Sequence, residues 1–147
     1  MSVFTSLSTH LPIRQDACTL VNASWQRKGL IAMFAVSGRR DPEAQAVRVT
    51  FKEVIVMRIV DEMTYSVEER GKDIGITRDG FAYEVTESPF SRMLSEAPTI
   101  MYKNPKQYTF IGLDDCLEVI ARYPPQFDLV DLPGLSRQPK HSGPTAT

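Results

Sequence analysis

Apolar and polar residues alternate along most of this chain with the two-residue period of a strand rather than the 3.6-residue period of a helix. Val47, Val49 and Phe51 alternate with Arg48, Thr50 and Lys52, which predicts a strand with one buried face. The next run, Val54 to Val60, is apolar on both faces apart from Arg58, and this predicts a place near the centre of a sheet. Eight of the fourteen residues from Val47 to Val60 are Val, Ile or Thr, whose branched Cβ suits a pleated surface.

The same reading extends to both sides. Ala17 to Ala23 and Leu30 to Val36 are short apolar runs separated by the more polar Ser24 to Gly29, which predicts a hairpin with Trp25 in its turn. Phe81, Tyr83 and Val85 alternate with Ala82 and Glu84. Gln107 to Gly112 forms a further strand, with Tyr108 and Phe110 on one side. Leu117 to Ala121 pairs with it through the Leu113-Asp114-Asp115 turn, although Asp115 and Glu118 also resemble a capping box. Phe127 to Leu132 adds an edge segment. The first fifteen residues show no clear period, and Met63 to Asp79 carries mixed signals and is predicted to be rich in loops.

One helix is predicted, Ser88 to Ala97. Ser88 can cap the first turn, Pro89 is tolerated at the first helical position, Phe90, Met93, Leu94 and Ala97 share a face, and Pro98 stops it. The expected fold is α+β: a mainly antiparallel, twisted sheet of about six to eight strands with one or two short helices packed on it. Residues 1–132 make a single domain. Residues 133–147 hold three Pro, two Gly and few apolar residues, the composition of a flexible tail.

Charge narrows the classes of function. Seventeen Lys and Arg against eighteen Asp and Glu give a net charge of -1, without the basic bias of a nucleic-acid binder. No apolar run is long enough to span a bilayer, and the first residues lack the pattern of a signal peptide, so a cytoplasmic compartment is expected. Cys18 and Cys116 are expected to be reduced thiols, with Cys116 a small core residue.

Catalytic signatures are missing from the sequence. It has no Gly-rich phosphate loop, Cys-x-x-Cys pair, His-Glu-x-x-His run or Gly-x-Ser-x-Gly elbow, and only two His. No enzyme, cofactor or metal is expected. Asp61-Glu62, Glu68-Glu69 and Asp114-Asp115 read as solvated rim charges, because neighbours in a strand point to opposite faces. Arg58, a cation in an apolar strand, needs an acidic partner, and Asp61 or Glu62 could serve only if the chain bends. Trp25 is either a lid over the open end of the core or an interface anchor.

The order of Trp25, an apolar strand, VTFKEV with MRIVDE, YEVTESPF and QYTFIGLDDCLEVIARYPP resembles small bacterial proteins of the immunity-protein type, over roughly Asn22 to Val130. The resemblance implies an α+β domain that binds and blocks a cognate toxin without catalysis or cofactor. Trp25, Phe51, Arg58, Glu62, Tyr108 and Glu118 are the matching positions, most of them maintaining the fold. The near-neutral charge departs from the acidic character of immunity proteins that block nucleases.

Two functions follow as expectations. The first is a non-enzymatic protein-binding module, monomer or homodimer, contacting its partner through Trp25, Arg58, Glu62, Glu68, Glu69 and Arg70. The second is a small-ligand carrier or modest hydrolase with an apolar pocket beside Arg58.

Overall fold

The computed structural model describes residues 2–7, 18–27, 29–36, 45–69, 73–77, 80–92 and 105–131. In chain order the elements are β1 (Ser2–Ser6), β2 (Cys18–Gln26), β3 (Gly29–Val36), β4 (Gln45–Phe51), β5 (Val54–Asp61), α1 (Glu62–Glu69), β6 (Asp73–Ile74), β7 (Ala82–Thr86), α2 (Pro89–Arg92), β8 (Lys106–Ile111), β9 (Asp115–Ala121) and β10 (Gln126–Asp131). The strands form two sheets rather than one. Six make the order β5-β9-β8-β7-β1-β6 and four the order β10-β4-β3-β2. All pairings are antiparallel except β1 with β6.

The two sheets share one core. Leu30, Ala32 and Phe34 on β3 and Val47, Val49 and Phe51 on β4 pack against Tyr108, Phe110, Leu117, Val119 and Ala121 of the larger sheet. Phe34 meets Phe81 edge-on at 4.8 Å, and Phe51 meets Phe110 at 5.9 Å, ring geometries that add specificity to the burial. The alternation at Val47 to Phe51 thus has the predicted cause: the odd positions are buried and Arg48 is exposed.

The far face of the six-stranded sheet is covered as well. Tyr65 of α1 packs with Phe4, Tyr83, Val85, Ile111 and Cys116 in a second cluster. By contrast no element among the described residues covers the far face of the four-stranded sheet, where Arg48 and Ile31 are both exposed. The result is three layers: an open-faced sheet, a sheet buried on both sides, and short helices.

Several expectations change. β5 is the outermost strand of its sheet, not a central one. Apolar residues on both its faces report two packed layers, and an edge strand beneath a helix meets that condition as well as a central strand does. Trp25 lies within β2, paired with Leu30, because the strand pairing runs on as far as Gln26 and Gly29, with Arg27 at φ 56°. Residues 63–69 of the segment expected to be rich in loops belong to α1, which opens at Glu62. Asp61 caps it: the Thr64 amide donates to Asp61 Oδ1 at 2.9 Å and the Thr64 hydroxyl to Oδ2 at 2.8 Å. β1 forms where no period was visible, between β6 and β7.

Other expectations match the structure. Leu117 to Ala121 is strand, paired with β8 through the expected turn. Ser88 caps α2, accepting from the Ser91 amide at 3.0 Å. Helical residues are described as far as Arg92; positions 93–97, Ala17, Leu132 and the 133–147 tail lie outside the described residues.

Gly80 is sterically fixed by the second cluster. A Cβ there would stand 1.7 Å from the Tyr83 hydroxyl, which accepts from the Thr77 amide and donates to the Thr77 carbonyl, both at 3.2 Å. Tyr83 is fully buried and has nowhere to retreat. Gly80→Ala is expected to lower unfolding free energy by about 1–3 kcal/mol in urea titration, the usual size of an overpacking defect.

Candidate functional site

The most concentrated chemistry among the described residues is a buried polar cluster between the six-stranded sheet and α2. Antiparallel register places Arg58 of β5 directly opposite Glu118 of β9, and in such a pair both side chains share a face. Glu118 is 0% exposed. Arg58 Nε and Nη2 donate to Glu118 Oε1 at 2.8 and 2.5 Å. Gln107 Nε2 donates to the other carboxylate oxygen at 3.1 Å and to Thr109 Oγ1 at 3.0 Å. The Ser88 hydroxyl donates to Gln107 Oε1, so the helix cap is joined to the same chain of bonds. Phe90 of α2 lies beneath the guanidinium, 4.9 Å from ring centre to Cζ.

This cluster answers the question raised by Arg58. Its partner is neither Asp61 nor Glu62, which follow it along the same strand, but an acid 60 residues away on the neighbouring strand. Both carboxylate oxygens already accept hydrogen bonds and the cation is matched, so the group acts as a strut between three strands and a helix.

The remaining predicted residues that are described lie on different elements. Trp25 sits on the edge strand of the four-stranded sheet, at 42% exposure. Glu62 opens α1 on the opposite side of the molecule and accepts from the Ser66 hydroxyl at 2.8 Å. Glu68 and Glu69 are in the last turn of α1, and Arg70 lies outside the described residues. Asp61 is exposed, and hydrogen bonds from the Thr64 amide, then from its hydroxyl, hold its carboxyl below the usual value. Asp114 is an exposed turn residue whose carbonyl accepts from the Glu62 amide at 2.8 Å, tying the β8–β9 turn to the start of α1.

Both cysteines are free and buried. Burial first, and then the charges of Glu62 and Glu118, push the Cys116 thiol up to about 12, which removes it as a nucleophile near neutrality. Burial likewise raises Tyr108 to about 12, with Glu84 adding to the shift. No group of three or more His, Cys, Asp or Glu among the described residues could hold a metal ion.

Sequence reasoning missed an open groove of about 460 Å³ where the β4–β5 turn meets the β9–β10 link. Lys52, Glu53, Tyr123, Pro124 and Gln126 line it. Arg122 pairs with Glu53 at 3.7 Å and stacks on Tyr123 at 5.3 Å. The signal was present as Tyr123-Pro124-Pro125, but nothing in the sequence linked it to Lys52.

Comparison of the chain with protein-family profiles, curated proteins and solved structures gives no match.

Arg58→Ala strands a buried carboxylate and is expected to destabilise the fold by about 3–5 kcal/mol in chemical denaturation. Replacing the pair together, Arg58→Met with Glu118→Leu, recovers most of that loss. Alkylating reagents should leave Cys18 and Cys116 unmodified until the protein unfolds. The raised Cys116 pKa implies stability that is complete below its ordinary value of 9.0 and falls as pH rises toward about 12, a fall that Cys116→Ala should flatten in thermal melts.

Proposed function

We propose that this protein is a non-catalytic, protein-binding module of the immunity-protein type, docking through the open face of its four-stranded sheet. One observation carries the reading: among the described residues the six-stranded sheet is covered on both faces, whereas the outer face of the other presents a set of half-exposed groups. Ile31, 45% exposed, lies in its middle, with Met33, Thr50 and the Arg48–Asp128 ion pair (3.4 Å) around it; Trp25, opposite the buried Leu30, is turned to the sheet's other face. An apolar centre with a polar surround is the composition of a protein contact. The self-contained Arg58–Glu118 cluster supports the reading, since its charges are used to hold the fold rather than to meet a substrate.

The matching partner is a toxin domain whose contact patch is apolar at its centre, and the near-neutral charge of this chain favours a partner without a strongly basic cleft. The runner-up, a small-ligand carrier, moves from Arg58 to the Tyr123 groove, whose volume falls in the range of ligand sites.

The test is calorimetric titration against candidate toxin domains taken from the genes that flank this one. Ile31→Lys should weaken binding at least tenfold without altering the circular dichroism spectrum, whereas Glu68→Lys with Glu69→Lys should leave affinity intact. No complex with the unaltered protein, or equal affinity for Ile31→Lys, would sink the assignment.

A further inference from the structure

The groove beside the β4–β5 turn is held in shape by its own contacts. Arg122 ties its two walls together twice: the Arg122 amide donates to the Glu53 carbonyl at 3.1 Å, and the Arg122 guanidinium pairs with the Glu53 carboxylate at 3.7 Å. The same guanidinium lies 5.3 Å from the centre of the Tyr123 ring, so a single side chain positions both the acid and the aromatic wall. Pro124 and Pro125 continue that wall, with fixed φ and no N–H groups to offer.

The polar groups opposite the wall are donors. Thr50 and Gln126 face one another in the β4–β10 pairing, so their side chains share a face, and both line the groove. The hydroxyl and the amide can each donate a hydrogen bond. Lys52 adds an exposed ammonium, and among the described residues no acid pairs with it. Glu53 is the one carboxylate in the lining, and Arg122 already matches its charge. The groove therefore carries one uncompensated positive charge next to an aromatic ring and two prolines.

These features select a ligand by its chemistry. A negative charge is needed to answer Lys52, and a flat apolar body to cover Tyr123 and the prolines; a neutral polar molecule would leave both unanswered. The volume of about 460 Å³ suits a molecule of one or two rings.

We propose that this groove is a binding site for a small aromatic carboxylate, its carboxylate on Lys52 and its ring against Tyr123, Pro124 and Pro125. The site stands on the geometry and charge of the groove, independently of the partner assigned to the open sheet face.

The test is titration of the full chain with 2-naphthoate, and with uncharged 2-naphthamide as its matched control, followed by two-dimensional amide NMR. Saturable shifts should cluster at residues 50–53 and 122–126, with the carboxylate bound about fivefold more tightly than the amide, the upper size of one exposed ion pair. Lys52→Gln should erase that preference without weakening the amide, and Tyr123→Ala should weaken both ligands. Both side chains are exposed, so neither variant should alter the circular dichroism spectrum. Absence of saturable shifts, or shifts centred elsewhere, overturns the proposal, as does a preference that survives Lys52→Gln or an affinity that Tyr123→Ala leaves unchanged.

Discussion

A carboxylate with no access to water is the constraint around which this fold is organised. Glu118 lies on the middle layer, between a packed sheet and a helix, where an unmatched charge would be among the most destabilising features a small domain could carry. Matching it fixes several relationships together. Arg58 must lie opposite, which sets the register of β5 on β9; Gln107 must reach diagonally from β8; and Ser88, bonded to Gln107, locates the start of α2. A slip of one residue would turn Arg58 to the other face and strand both charges. The hydrophobic core drives collapse, and the ionic cluster selects one alignment among many apolar ones that would bury similar area.

The division of labour between the two sheets follows from this arrangement. The six-stranded sheet is enclosed and carries the internal chemistry, whereas the four-stranded sheet shares its core and leaves its other surface to solvent.

Periodicity made the strands legible where only one of their faces was buried. Val47 to Phe51 is the clearest case, since Arg48 and Thr50 mark the wet side. It was less informative where both faces were buried: the run from Val54 to Val60 showed that two layers cover β5 but not whether the strand was inner or outermost. α1 was hidden because Thr64, Tyr65 and Val67 favour strands, and only the capping geometry of Asp61 and the cover Tyr65 provides override that preference. The candidate cluster was half legible. Arg58 stood out as a cation needing an acid, but its partner is brought in by strand pairing across 60 residues, a separation that local pattern does not encode.

That separation has a consequence for biosynthesis. At ribosomal rates of about 5–20 residues per second, the 60 residues between Arg58 and Glu118 correspond to about 3–12 s. Through that interval the nascent chain displays Val54 to Val60 without β9 to receive it. The guanidinium, later the alignment key, is then the one charge interrupting a sticky segment, and serves as a gatekeeper against premature self-association on the polysome.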